Sequence, residues 1–99
     1  MNWEQTKIDL GLVREKQTIR FAYKAIKELD VVNFTPSCGG CTTIDGFKNS
    51  VLVVKYKGES IPTHILLEGK TTIDYIKTIR VTYRNGVEEV LTFVVKITK

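Results

Sequence analysis

Residues 73–98 read IDYIKTIRVTYRNGVEEVLTFVVKIT, and their alternation sets the expectation for the rest of the chain. Ile73, Tyr75, Ile79, Val81 and Tyr83 alternate with Asp74, Thr78, Arg80 and Thr82, the period of two that marks a half-buried strand. Asn85-Gly86 then turns the chain into a second run, Val87 to Thr98, so the segment is a long β-hairpin. A two-residue turn pairs Val81 with Val90 and Ile79 with Thr92, which sets Leu91 and Phe93 opposite Arg80 and Thr78. That register wastes the apolar face. A shift of one residue pairs Val81 with Leu91, Ile79 with Phe93 and Tyr75 with Ile97, and predicts a bulge or a longer loop between Asn85 and Glu89. The like-charged Glu88 and Glu89 mark the place.

The same period runs upstream. Ile8 and Leu10 alternate with Lys7 and Asp9 as far as Gly11, where a turn is expected. Ile19, Phe21, Tyr23 and Ala25 form one face of the next run, with Thr18, Arg20 and Lys24 on the other. Ala22, Ala25, Ile26 and Leu29 also fall at helical spacing, but Ile19, Phe21 and Tyr23 are β-branched or aromatic, which predicts a strand. Val31, Val32 and Phe34 make a third, halted by Pro36. A loop carrying Cys38-Gly39-Gly40-Cys41 and Asp45-Gly46 follows. Ser50 to Tyr56 is apolar enough for a strand covered on both faces, and Lys57-Gly58-Glu59-Ser60 breaks it. Ile61 to Glu68 reads as a weaker strand whose Pro62 suggests a sheet edge, closed by Gly69-Lys70. About seven short strands, no helix-length periodic segment and a chain that is one-third Thr, Val and Ile together predict an all-β, antiparallel β-sandwich.

A length of 99 residues supports one core, so a single domain spans 1–99, with the core at about 8–97 and an N-terminal arm at 1–7. Hydrophobic residues at 42% and charged residues at 26% argue for a folded globular chain rather than disorder or collagen. The longest apolar runs, Val51 to Val54 and Ile65 to Leu67, fall far short of the roughly 20 residues of a membrane-spanning helix. Met1-Asn2-Trp3-Glu4 lacks the basic and apolar regions of a secretory signal, so cytoplasmic synthesis without export is expected. The formal charge is +4, but the signs alternate from Lys7 and Asp9 to Glu89 and Lys96 with no run of bases. A nucleic-acid partner is therefore not expected. The excess favours docking on, or steering toward, an acidic partner surface.

The Cys38 and Cys41 pair is the sharpest chemical feature. It admits three readings: free, partly buried thiols in a glycine turn; a disulfide or redox pair; or two ligands of a metal site. Acidifying a thiol for redox work commonly takes a helix N-terminus, and no helix is predicted there. A closed zinc site wants four ligands, so His64 and a carboxylate such as Asp45 would have to join the cysteines. His64 lies in an apolar context, Pro62 to Leu67, with no Gly-x-Ser-x-Gly elbow to present a nucleophile, and Gly39-Gly40 lacks the lysine and helix of a phosphate loop. No catalytic residue and no cofactor are expected. Most of the nine aromatics fall on inward faces. Trp3, in a polar terminal segment, anchors either a partner or the domain's own flank.

Three elements together resemble a known family: Ile8-Asp9-Leu10-Gly11, Ser37-Cys38-Gly39-Gly40-Cys41-Thr42, and Thr78-Ile79-Arg80-Val81-Thr82-Tyr83-Arg84-Asn85. They are similar to the bacterial immunoglobulin-like family of unknown function marked by a Cys-Gly-Cys-Thr loop, which is related to the Hydin-like immunoglobulin domains. The similarity spans roughly Ile8 to Ile97. It implies a seven-stranded immunoglobulin-like sandwich acting as a binding or scaffolding module, with no catalytic residues to transfer. Two glycines separate the cysteines here where the family has one residue, and the family's usual export signal is missing. A small unexported domain of this kind resembles the accessory proteins that tailed bacteriophages attach to their capsids or tails. The expected role is a non-enzymatic interaction module on such a virion, with capsid or tail subunits as partners and a homo-oligomer as a further option. Its expected contacts are Trp3, Ile61 and Ile65, offered by the N-terminal arm and an exposed edge strand. The alternative is a thiol-redox or metal-binding protein using Cys38 and Cys41, with His64.

Overall fold

A computed structural model describes residues 2–99, most of them in strands. The elements are β1 (Lys7–Arg14), β2 (Thr18–Lys24), β3 (Val31–Pro36), β4 (Thr42–Lys48), β5 (Val51–Lys57), a short helix α1 (Thr63–Leu67), β6 (Thr72–Tyr83) and β7 (Glu88–Thr98). They form a four-stranded sheet, β1-β7-β6-β3, and a three-stranded sheet, β2-β5-β4. The two pack as a sandwich. An isolated antiparallel bridge, Trp3 to Ala25, ties the N-terminal arm to the end of β2.

The terminal hairpin is the longest element pair. Its register sets Ile79 opposite Leu91, Tyr75 opposite Val95 and Ile73 opposite Ile97. The apolar faces do match, as the one-residue shift required, but the shift runs in the opposite direction from the expected one. Arg84, Asn85 and Gly86 form a three-residue turn, with the Tyr83 N–H donating to the Val87 carbonyl at 2.9 Å and Gly86 at φ +87°. Glycine reaches that left-handed conformation without the steric cost of a Cβ. The connection is one residue longer than a two-residue turn, with the extra residue, Arg84, before Asn85 and not between Asn85 and Glu89.

Five further expectations are corrected. The first is that Asp45-Gly46, expected in a loop, lies within β4 at a register shift between Ile44 and Gly46. β1 does not stop at Gly11: with φ +72° and its N–H on the Asp9 carboxylate at 2.8 Å, Gly11 forms part of a bulge between Asp9 and Leu12. The bulge reverses the alternation, so Leu12 faces out and Val13 faces in. Nor is the sandwich wholly antiparallel, because β1 runs parallel to β7. β5, at the centre of its sheet, is buried on one face only, through Leu52, Val54 and Tyr56.

The expected edge strand from Ile61 to Glu68 is instead the buried Ile61 followed by α1. Proline lacks a backbone N–H, which disqualifies it from a central strand but costs nothing at a helix start. Pro62 occupies that position here.

Trp3, Tyr23, Tyr56, Leu52, Ile79, Leu91, Phe93 and Ile97 are the largest side chains of the core. Phe93 lies between the sheets, 5.0 Å from the ring of Phe21 and 5.4 Å from that of Tyr56. Edge-on and tilted contacts of this kind suit aromatic quadrupoles and add to the burial of area. No described helix is long and apolar enough to cross a membrane.

Candidate functional site

The cysteine loop crosses from the four-stranded to the three-stranded sheet, between the end of β3 and the start of β4. Cys38 and Cys41 are joined by a disulfide. The loop is a tight turn in which the Thr42 N–H donates to the Cys38 carbonyl at 3.0 Å, and the Lys57 N–H of β5 donates to the Cys41 carbonyl at 2.8 Å. Of the three readings open for this pair, the structure realises the disulfide.

A further ligand-type side chain does approach the sulfurs, but it is neither His64 nor Asp45. His64 is exposed on α1, and Asp45 faces Arg20 at 3.3 Å and Lys55 at 3.9 Å. The ligand-bearing atoms of Cys38, Cys41 and Glu59 lie within 4.8 Å of one another. Glu59 sits in the segment that the sequence marks only as a strand breaker. Its carboxylate accepts the Tyr56 hydroxyl at 3.0 Å and pairs with the Lys77 ammonium at 2.8 Å. Burial, reinforced by the Glu59 carboxylate, pushes the Tyr56 hydroxyl above its ordinary range. With the sulfurs bonded to each other and Glu59 already neutralised by Lys77, this cluster is a latch holding the 57–61 segment against the sheets. A thiolate ligand set would need the disulfide opened and the lysine displaced.

The expected contact residues point inward. Trp3 is fully buried: its ring is 5.8 Å from that of Phe47, and its indole N–H donates to the Tyr83 hydroxyl at 3.0 Å. Backbone bonds from Glu4 to the Lys24 carbonyl and from Ile26 to the Asn2 carbonyl pin the arm on both sides. Of the two roles open to Trp3, it fills that of anchor for the domain's own flank. Ile61 is buried as well, its N–H donating to the Glu15 carboxylate at 2.9 Å. Ile65 is half-buried against the core.

What remains outside are the two outer sheet faces. On the four-stranded sheet, Leu12 and Ile76 are 63% and 73% exposed and, with Val94, line a shallow groove of about 370 Å³. Asp9, Asp74 and Lys96 border it. On the three-stranded sheet, the outward positions carry Arg20, Lys24, Lys48, Lys55 and Lys57, with Asp45 as the one carboxylate among them. The chain matches no family model and no curated protein.

Proposed function

We propose that this chain is a non-enzymatic interaction module with an immunoglobulin-like sandwich, and that it docks as an auxiliary protein on the virion of a tailed bacteriophage. The strand order supports the immunoglobulin-like part. With the strands lettered A to G in chain order, β2-β5-β4 is B-E-D and β3-β6-β7 is C-F-G, the two layers of that fold. The opening segment divides between them, Trp3 bridging the end of β2 and β1 running beside β7. The virion setting rests on a fold-level analogy, from a small immunoglobulin-like domain to the accessory proteins of tailed bacteriophages.

The observation that carries the docking role is the segregation of charge. The outer face of the three-stranded sheet bears five cations and one anion, an excess equal to the formal +4 of the whole chain. A face of one sign steers an oppositely charged partner and fixes its orientation. The test is sedimentation of the protein with assembled virions. Co-sedimentation at a fixed number of copies per particle is the expected result. Recovery only in the unassembled pool of infected cells overturns the setting.

A further inference from the structure

Strand alternation and register gather onto one surface cations that are far apart in sequence. Because Leu52, Val54 and Tyr56 face the core, Val51, Val53, Lys55 and Lys57 of β5 face outward. The register places Lys55 beside Arg20 of β2 and Thr43 of β4, and Val51 beside Lys24 and Lys48. Between these two rows lies an uncharged one, Ala22, Val53 and Gly46. Two cationic rows thus flank a small apolar strip, about 13 Å apart at the rise of an extended strand. The Asp45 carboxylate lies 3.3 Å from Arg20 and 3.9 Å from Lys55, so the Arg20–Lys55 row keeps one net positive charge and the Lys24–Lys48 row two. Elsewhere the chain is balanced, its other ten cations matched by ten anions.

Resting on the interaction-module reading, we propose that this face binds an extended acidic protein segment whose carboxylates straddle a short apolar stretch. The layout is that of a protein interface, an apolar centre with a charged rim. Binding of single-stranded nucleic acid relies on aromatic side chains on which bases stack, but the aromatics of these strands, Phe21, Tyr23, Phe47 and Tyr56, all belong to the core or pack against it. Peripheral membrane binding calls for large apolar side chains that insert below the headgroups, whereas the strip here is Ala22, Val53 and Gly46. An extended segment with Glu at positions i and i+4 spans about 13 Å, the distance between the rows. Each carboxylate then meets one basic row while the residues between cover Val53.

The probe is a fluorescent blocked peptide, Glu-Glu-Ala-Val-Ala-Glu-Glu, titrated with the intact protein and followed by anisotropy. Binding is expected to weaken about tenfold between low salt and about 0.15 M, where the Debye length shortens to roughly 8 Å. The double variants Arg20→Glu/Lys55→Glu and Lys24→Glu/Lys48→Glu are each expected to lose at least about tenfold in affinity. Lys7→Glu/Lys99→Glu, which changes net charge equally but lies elsewhere, is expected to stay within about twofold. Circular dichroism melts confirm that each variant is folded.

Equal losses from the face and control variants overturn the proposal, since net charge alone would then suffice. Tighter binding, at matched charge and salt, of a single-stranded oligonucleotide or of phosphatidylserine vesicles also overturns it. Face variants that still sediment with virions overturn this surface and leave the module reading intact. Wild-type protein that binds the peptide but not the particle supports the surface and overturns the virion setting.

Discussion

The two ends of the three-stranded sheet are closed by opposite means. Where β2 finishes and β5 begins, the N-terminal arm inserts Trp3, an aromatic plug with no solvent exposure and one hydrogen bond for its indole N–H. At the other end, where β5 runs into Gly58 and Glu59, closure falls to an ion pair, a carboxylate that holds the Ile61 N–H, and a disulfide. Apolar burial depends little on salt, redox state or pH, whereas charged and thiol contacts depend on all three. One end of the sandwich is therefore unconditional and the other conditional. The basic face spans both.

The sharpest break is expected at the plug. Trp3→Ala removes the largest buried side chain, orphans part of the Tyr83 hydroxyl's bonding and releases the arm, so a loss of about 3–5 kcal/mol is expected in chemical denaturation. For a chain this short, that is much of the total stability. A loss below about 1 kcal/mol would make the arm an accessory and erase the contrast between the ends.

At the conditional end the disulfide comes next. It closes a ring of only four residues, for which the loop-entropy relation gives about 2 kcal/mol. Cys38→Ser/Cys41→Ser is expected to lose about that much, and reduction by dithiothreitol to lower the wild-type melting temperature to that of the variant. Smaller again, Glu59→Gln leaves the Lys77 ammonium, 13% exposed, without its counter-charge and is expected to cost about 1–2 kcal/mol. Adding Lys77→Met removes the stranded charge and is expected to recover most of the loss. A double-mutant cycle showing no coupling would mean that the pair closes nothing.

How much of this was legible in the sequence depended on whether the signal was local. The hairpin was legible because apolar positions alternate along both arms of a 26-residue segment, and even the need for a one-residue shift followed from matching faces. The direction of the shift depended on whether Gly86 takes a left-handed conformation in a three-residue turn, which alternation does not encode. Trp3 was ambiguous for a related reason. Its neighbours are polar, and its partners Tyr83 and Phe47 lie 80 and 44 residues away. Pro62 fits a strand edge and a helix start equally well. Glu59 gained its role only when β6 brought Lys77 beside it. The basic face was hidden for the strongest reason. Its five cations come from three strands whose spatial order, β2-β5-β4, differs from their sequence order, so the charges look interspersed until the register is known.

The smallest expected effect tests whether the unconditional end is as insensitive as its aromatic content suggests. At its rim, Glu89 accepts the Tyr83 hydroxyl and the Asn2 side-chain amide, both at 2.5 Å. The Tyr83 bond holds the Glu89 carboxyl below its ordinary range; partial burial opposes this and the Asn2 bond adds to it. Because the folded-state value is the lower one, the stabilisation is fully present above the ordinary glutamate pKa of about 4.3. It is lost as pH falls through the depressed folded value. Glu89→Gln should therefore be less stable than wild type by under about 1 kcal/mol at neutral pH, since the group is largely solvated. The gap should close as the pH is taken below about 4. Paired thermal melts from pH 7 to pH 2.5 measure it. A gap that stays constant across that range would mean that the hydrogen bonds, and not the charge, carry the contribution, and the plug would be independent of pH after all.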